Sequence, residues 1–269
     1  MKYIKFISIF FFICTGSLAL INLYSQVTGA THFVSVDKTN LQEHYSEDYL
    51  GLTSLNKLVD FCDNSYYEKA PQTGISDTVK YINIVSDVVK RRFCHGLAEY
   101  RITDNWLLYL EGKLCWSHIA AIINPNDILK QNTALCSQQQ LVFLSVLEKK
   151  SIPFRYVGLG KIEGPGHFVS EVLYGKKWRM SDVTFEPNWE LTGNVRIAVD
   201  SLQKNKELFY RIYEKTHSRD VLSVLINHVH YGERNHIPGN KMAFFHTLNF
   251  VLIYLLPIFF FYLQRKIKT

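Results

Sequence analysis

The sequence predicts an α+β domain that is held between two membrane helices, one at each end of the chain. Three observations lead to this fold class. The two most apolar stretches of the 269 residues lie at the ends, and apolar residues recur at helical spacing through the middle. Three short β-like segments follow one another between residues 154 and 184. Helices packed on an antiparallel sheet belong to the α+β class.

The N-terminal segment, residues 1–24, is either a membrane anchor or a cleaved secretory signal. Its apolar run from Phe6 to Leu23 contains no charged residue and follows Lys2 and Lys5. A run of about 20 apolar residues can cross a bilayer as a helix. A basic start, an apolar run and small residues also fit a signal peptide. We expect an anchor because the run is long, and the sequence leaves the signal open.

The C-terminal segment is expected to form a second membrane helix over residues 243–264. Ala243 to Leu263 contains no Asp, Glu, Lys or Arg, and Arg265, Lys266 and Lys268 follow it. Basic residues beside a span mark its cytoplasmic side. Since basic residues lie at both ends of the chain, the sequence predicts two spans in the cell membrane, cytoplasmic termini and an extracytoplasmic middle domain.

One domain is expected for residues 25–240, with its core at about residues 76–190. This length suits a single buried core better than two. The formal charge of +6 includes residues beside the membrane helices, and no basic block with interleaved aromatic residues occurs, so we expect no nucleic-acid partner. Cysteines outside the anchors are too widely spaced for a metal or redox motif or a dense disulfide framework: Cys62, Cys94, Cys115 and Cys136.

The middle of the chain shows helical patterns before and after a strand meander. The expected elements are helices at about residues 76–96, 104–114 and 136–149, strands at 154–159, 167–174 and 178–184, and further helices near 202–212 and 221–229. Apolar residues recur at three- and four-residue steps in the helices, and turn signals separate the strands. Ser76 and Asp77 begin the first of these helices, and Ser25 to Gly74 shows no readable pattern.

Cys136 opens one of the expected helices, and this position favours a reactive thiol. A thiol attacks as its thiolate, and a free cysteine has a pKa of about 8.5. A helix N-terminus carries partial positive charge and unpaired amide donors, which stabilise a thiolate and an oxyanion. A nearby histidine can take the thiol proton and return it to the leaving group.

His167 and Asp182 are candidates for that base and for the group that orients it. His167 opens the second expected strand, and Asp182 lies near the end of the third, after a turn at Gly175. An antiparallel hairpin about this turn brings the two residues nearly opposite each other. The order Cys, His, Asp in this helix and strand context therefore predicts a nucleophilic triad.

Four pieces of sequence stand in order between residues 132 and 189. They are Cys136-Ser137 at the start of a helix, Ser151 to Val157, His167 to Val172, and Trp178 to Thr184. Together they resemble the core of transglutaminase-like domains, which are relatives of papain-like folds. The resemblance implies a cysteine-bearing helix packed on an antiparallel sheet, in a membrane-anchored, bacterial-type member of that family.

The resemblance also implies an activity. It makes Cys136 the nucleophile and His167 the base, with Asp182 orienting the base, in an enzyme that forms an acyl-enzyme from an amide-type bond. Water as acceptor gives hydrolysis and an amine gives transamidation, and the sequence leaves both open. A protein, a peptide or a cell-surface glycan-linked group is the expected substrate. The alternative function is a binding or assembly module at the membrane that keeps this fold without turnover.

The residues around the cysteine depart from the family pattern in places. Ala134 stands where a glycine is frequent, Ser137 replaces an aromatic residue, and Val183 replaces a proline. These departures affect the expected substrate more than the expected fold. Gln131 and Asn132 precede the cysteine closely, and each is either a side-chain oxyanion donor or a cap of the loop.

Further aromatic and histidine residues are weaker candidates. Trp178 and Trp189 are expected in the core or in the wall of a cleft. His228, His230 and His236 resemble part of a metal site, but no acidic or thiol partner stands at suitable spacing. We therefore expect no metal and no cofactor, and we interpret the three histidines as a helix end near the membrane.

Overall fold

The computed structural model of this chain describes residues 2–35, 44–68, 77–161 and 164–266. Three residues named in the sequence analysis lie outside these ranges: Gly74, Ser76 and Lys268. The chain divides into two compact units. The terminal-helix unit comprises Met1–Thr31, Ala98–Ile123 and Gly239–Thr269, and the sheet unit comprises His32–Leu97 and Asn124–Pro238. The sequence had predicted one domain for residues 25–240, without this grouping of residues 98–123 with the ends.

Helices and strands alternate along the described chain. The helices are α1 Lys2–Thr28, α2 Leu55–Glu68, α3 Asp77–Arg92, α4 Trp106–Leu114, α5 Pro125–Ile128, α6 Cys136–Lys149, α7 Val199–Lys204, α8 Lys206–Tyr213, α9 Arg219–Asn227 and α10 Asn240–Lys266. The strands are β1 Cys94–His95, β2 Thr133–Ala134, β3 Phe154–Gly160, β4 Gly166–Tyr174, β5 Lys177–Ser181 and β6 Val229–Tyr231. The mixture of helix and sheet agrees with the predicted fold class.

Within the described residues, α1 and α10 are the helices long and apolar enough to cross a membrane. This confirms two apolar terminal helices, each somewhat longer than the sequence predicted. The two helices pack against each other: Ser8 Oγ donates to the Phe260 carbonyl over 3.0 Å, and the rings of Phe11 and Phe260 stack at 5.3 Å. Most of their other large apolar side chains are exposed, as expected for helices that face lipid.

The sheet unit contains the predicted meander. β5, β4, β3 and β6 form a four-stranded sheet in that order, and every neighbouring pair is antiparallel. α6 packs on β4 and β3. A cluster of buried side chains from α7, α8 and α9 packs against the sheet through Val157, Val169 and Met180. Four successive buried residues, Val169 to Val172, show that both faces of the central strand β4 are covered.

An ion pair explains the arginine that follows Pro153 in the predicted strand. Arg155 Nε donates to Glu171 Oε2 over 2.8 Å, and the other oxygen of Glu171 accepts the Val199 amide over 2.7 Å. The Arg155 guanidinium lies 4.6 Å from the ring centre of Trp178 and 4.4 Å from that of Tyr231. Arg155 thus contacts side chains of the three other strands, and through Glu171 it is linked to the start of α7. Trp178 packs against the guanidinium of this ion pair.

The last strand corrects one sequence prediction. The helical pattern had been extended to Val229, but α9 ends at Asn227, and Val229 to Tyr231 form β6. β6 pairs with β3, which would otherwise be an edge strand with unpaired amides. His230 consequently lies opposite Gly158 in the sheet and not at a helix end. Valine and tyrosine favour strands, but three residues are too few for a recognisable pattern.

Candidate active site

Cys136 is the first residue of α6, as the sequence predicted, and side chains of the same helix hold the backbone before it. Gln138 Oε1 accepts the Leu135 amide over 3.1 Å, and Gln139 Nε2 donates to the Ala134 carbonyl over 3.0 Å. The first amides of a helix have no carbonyl partner within the helix. The half-buried thiol therefore lies where free backbone donors and the positive end of the helix dipole meet.

The environment of the Cys136 thiol favours its ionised form. Burial raises the pKa of the thiol, but the hydrogen bond and positive charge of His167 and a hydrogen bond from the Phe168 amide outweigh this effect. The pKa therefore lies below the ordinary value for cysteine. A lowered pKa is the property that separates nucleophilic cysteines from inert ones.

His167 joins the thiol to Asp182. Its Nε2 lies 2.7 Å from Asp182 Oδ2, and both side chains are almost completely buried. Burial alone would lower the pKa of His167, but the charge and hydrogen bond of Asp182, with the hydrogen bond to Cys136, raise the pKa to about 10. Since Nε2 faces the carboxylate, Nδ1 is left to face the thiol. The three groups favour a thiolate beside an imidazolium ion.

The approach of His167 to Asp182 differs in register from the expected one. Ser170 pairs with Ser181, the last residue of β5, so the continued register places Asp182 across from Val169. His167 is thus a diagonal neighbour of Asp182, at a distance that long side chains still bridge. The strand had been predicted to continue to Thr184, and that prediction was wrong.

The strand ends at Ser181 because the Asp182 carboxylate forms a turn. Its Oδ1 accepts the amides of Thr184 over 2.9 Å and of Phe185 over 3.1 Å, which is how aspartate commonly caps a turn. Burial would raise the pKa of Asp182, but the charge of His167 and the hydrogen bonds that the carboxylate accepts lower it to about 2. Asp182 is therefore ionised throughout the physiological range.

Tyr213 is a site residue that sequence reasoning missed. Its hydroxyl donates to Asp182 Oδ2 over 2.7 Å, beside the hydrogen bond from His167. Burial and the nearby carboxylate raise the pKa of Tyr213 well above its usual value, so the hydroxyl remains a donor. In the sequence, Tyr213 follows Phe209 at a helical step and has the appearance of an ordinary core residue. Only the contact distinguishes it.

Aromatic rings form one wall beside His167. The ring of Phe185 lies 5.1 Å from that of His167, 5.6 Å from that of His95 and 4.6 Å, edge to face, from that of His217. Burial and the charge of His167 lower the pKa of His217, so this second imidazole is neutral next to the charged one. No sequence pattern indicated this cluster, because its members come from segments distant along the chain.

The predicted oxyanion donors and the second tryptophan make structural contacts. Asn132 Nδ2 donates to the Val34 carbonyl over 2.7 Å, and its Oδ1 accepts the Val34 amide over 2.9 Å, which is the loop-capping alternative. Gln131 lies buried on the same loop, where its backbone pairs with His32. Trp189 belongs to the buried cluster that packs against the sheet, which is the core alternative.

Metal-ligating groups and disulfides are the remaining candidates for chemistry. In the part of the chain that the structure describes, no group of three or more His, Cys, Asp or Glu side chains could hold a metal ion. His228, the first residue after α9, has its Nδ1 3.1 Å from the Val224 carbonyl of that helix. The five cysteines all lie within the described residues, and none of them forms a disulfide there. Burial raises the pKa of Cys62 to about 12, which contrasts with the lowered pKa of Cys136.

Comparison with known proteins gives one distant likeness. No protein-family model matches the chain, and no curated protein matches it either. A solved structure described as "Crystal structure of a TGase" is similar, with 17% sequence identity over 60% of this chain and a TM-score of 0.29. The chain covers 37% of the length of that protein. A likeness at this TM-score assigns neither activity nor substrate.

Proposed function

We propose that this chain is a membrane-anchored thiol enzyme of the transglutaminase-like kind, which acts on an amide-type bond through an acyl-enzyme at Cys136. The observation that supports this proposal is the hydrogen-bonded chain of Cys136, His167 and Asp182 at the N-terminus of α6. A structural cysteine needs no ion-pair partner and is usually buried in apolar surroundings. A module that only binds would have no use for a thiol with a lowered pKa.

The chemistry follows from the two ionised groups. The Cys136 thiolate attacks the acyl carbon, so a carbon–sulfur bond forms and the carbonyl oxygen becomes an oxyanion that the free amides of α6 stabilise. When the carbon–nitrogen bond breaks, the His167 imidazolium gives its proton to the leaving amine. Water or a second amine, deprotonated by His167, then attacks the thioester and releases the thiolate. Water yields a carboxylic acid, and an amine yields a new amide.

Asp182 and Tyr213 act through the imidazole. The carboxylate fixes the orientation of the His167 ring and stabilises its positive charge during the reaction. Tyr213 and two backbone amides hold the carboxylate in place. Phe185 covers the ring and limits its contact with water. The imidazole is thus preorganised, and no rearrangement is needed when charge develops.

The two apolar helices give the enzyme its location. We propose that α1 and α10 span the cell membrane with Lys5, Arg265 and Lys266 on the cytoplasmic side, which makes the sheet unit extracytoplasmic. The substrate is then a protein, a peptide or a glycan-linked group at the cell surface. A membrane-impermeant thiol reagent should react with a cysteine introduced at exposed Lys177 in intact cells. Reaction at this position only after lysis would reverse the orientation.

Alkylation of the free thiols tests the proposed nucleophile. In the full chain carrying Cys115→Ala and Lys177→Cys, in lipid nanodiscs at about pH 6, iodoacetamide should modify Cys136 faster than the cysteine at exposed position 177, because only a thiolate reacts. His167→Ala should remove this advantage, and Asp200→Asn should leave it unchanged. If Cys136 reacts no faster than the cysteine at position 177, Cys136 is not an activated nucleophile.

Acylation separates an enzyme from a binding module. A p-nitrophenyl ester should acylate Cys136, and mass spectrometry should detect the acyl group on the peptide that contains this residue. Added water or amine should then discharge the thioester, and the ratio of acid to amide tells hydrolysis from transamidation. Cys136→Ala should lose the modification entirely. A stable acyl group that neither acceptor removes would support the inactive module.

A further inference from the structure

The segment Ala98–Ile123 of the terminal-helix unit exposes a group of large apolar side chains. Leu110, Leu114 and Trp116 are 38%, 81% and 57% exposed, and Ile102 is 42% exposed. Apolar side chains scattered singly over a surface are ordinary, but a contiguous group marks an interaction site. In this segment the exposed residues lie on α4 or within a few residues of its ends.

The helical geometry of α4 places these side chains on one stripe. Leu107, Leu110 and Leu114 stand at positions i, i+3 and i+7, which share a helix face. The opposite face, with Leu108 and Gly112, is buried. A Cβ at Gly112 would lie 2.7 Å from the Cβ of Ala120, so the inner face is closely packed. α4 is therefore apolar on its inner and outer faces, unlike a surface helix in water.

The segment is fastened to both terminal helices. Asn22 of α1, which is fully buried, donates from Nδ2 to the Ile102 carbonyl over 2.7 Å and accepts the Trp106 amide at Oδ1 over 3.0 Å. His246 of α10 donates from Nε2 to the Ile119 carbonyl over 2.9 Å. These contacts lie near the C-terminal end of α1 and the N-terminal end of α10. The segment thus sits at the ends of the helix pair that are remote from the basic termini.

We propose that the outer face of α4, formed by Leu107, Leu110, Leu114 and Trp116, inserts into the lipid boundary of the membrane as a third contact beside the two spans. The proposal rests on α1 and α10 crossing the bilayer. α4 packs on α10 and α1, whose large apolar side chains are mostly exposed, and Trp116 is the residue type that concentrates at the membrane–water interface.

The charges of the segment are compatible with such a position. Lys113 forms an ion pair with Glu99 over 3.2 Å, at the side of the apolar stripe. A lysine beside an interfacial helix keeps its charged end in water while its stem covers apolar surface. Helices that lie in the interface combine an apolar face with charged groups at its border. Lipid therefore covers the apolar stripe of α4, which water would leave exposed.

Cys115 is a natural reporter for this contact, because it lies between Leu114 and Trp116 and is the exposed thiol among the five cysteines. The full chain carrying Cys14→Ala and Cys136→Ser should be labelled at Cys115 with an environment-sensitive fluorophore and placed in nanodiscs. Lipids with a nitroxide on the upper acyl chain should quench most of its fluorescence, and aqueous iodide should quench little. The variant Leu110→Gln/Leu114→Gln should reverse this preference, and Lys113→Gln should not.

Two further label positions distinguish the possible failures. A label at Leu20→Cys, which points outward from α1, reports the span itself, and a label at Lys177→Cys reports the aqueous phase. Lipid quenching at Leu20 with iodide quenching at Cys115 would overturn the inference and leave the spans intact. No lipid quenching at Leu20 would overturn both. A Cys115 label shielded from both quenchers would show that protein, such as a second copy of this chain, covers the face.

Discussion

The two units of this chain both bury polar side chains, but they use them differently. In the sheet unit four ionisable groups form a connected chain: Tyr213 and His167 both contact Asp182, and His167 contacts the thiol of Cys136. In the terminal-helix unit the fully buried Asn22 bonds only to backbone atoms of another segment. Under the proposed function, the first arrangement supplies the chemistry and the second holds segments together.

The network around Asp182 is more sensitive to substitution because it buries a charge. An ionised carboxylate in the interior needs several hydrogen-bond donors, and Asp182 has the side chains of His167 and Tyr213 and the amides of Thr184 and Phe185. Removing one partner leaves a buried charge with incomplete compensation. Replacing a neutral amide such as that of Asn22 leaves only uncharged polar atoms without a partner. Substitutions in the Asp182 network should therefore have larger effects than substitution of Asn22.

The largest effect is expected for Asp182→Asn. Asparagine has the same shape but does not stabilise an imidazolium ion, so kcat should fall by about 10³- to 10⁴-fold. Asp182 is the cause of the raised pKa of His167, and the imidazolium is present only below that pKa. In the parent, the imidazolium ion of His167 should therefore lose its proton at about pH 10. In Asp182→Asn it should lose this proton at a lower pH.

The rate of Cys136 alkylation as a function of pH measures this shift, because the imidazolium ion stabilises the thiolate. Asp200→Asn, which replaces an exposed carboxylate of α7, is the matched control and should leave the profile unchanged. An Asp182→Asn variant with the parental pH profile would show that the carboxylate does not set the charge of the imidazole.

Tyr213→Phe should have an intermediate effect. The hydrogen bond from Tyr213 lowers the pKa of Asp182, so without it the folded-state pKa moves up from about 2 towards the ordinary value. Stability that Asp182 contributes is present above its unfolded pKa and is lost as the pH falls through its folded pKa. The free energy of unfolding should therefore decrease by about 1–3 kcal/mol at neutral pH, and acid unfolding should begin at a higher pH.

Chemical denaturation followed by tryptophan fluorescence at several pH values checks this prediction. Tyr210→Phe in the same helix removes a hydroxyl without touching Asp182 and should leave the acid limb unchanged. Equal acid sensitivity in the two variants would mean that Tyr213 supports the packing of α8 and not the carboxylate.

The same comparison explains how far the sequence could predict this molecule. The helix of Cys136, the strand of His167 and the strand that ends just before Asp182 are close in sequence, have clear periodicity and are joined by recognisable turns. Tyr213 could not be assigned to the site, because a tyrosine one residue after Ile212 in an amphipathic helix also fits the core. Its hydrogen bond to Asp182 joins α8 to a turn that is distant along the chain, and no local sequence pattern predicts such a contact.

The grouping of Ala98–Ile123 with the terminal helices was equally hidden. Its helix α4 was predicted at nearly the observed place, but helical spacing does not reveal whether an apolar face packs on protein or on lipid. α2 lies in a stretch that showed no readable pattern, although its buried residues Leu55, Leu58 and Cys62 follow helical spacing. Polar residues between them made the periodicity weak.

The smallest effect is expected for Asn22→Leu, which removes the bridge between α1 and the segment that carries α4. The variant leaves the Ile102 carbonyl and the Trp106 amide without their partner, and side-chain hydrogen bonds between membrane segments are worth about 1 kcal/mol. Unfolding in mixed detergent micelles should show a loss of that size, and Ser17→Ala, at an exposed position of α1, should show none. If the outer face of α4 contacts lipid by itself, a label at Cys115 should remain quenched by nitroxide lipids in this variant, because apolar burial holds the segment after the polar bridge is gone. A label that becomes accessible to iodide would mean instead that Asn22 alone keeps the segment at the membrane.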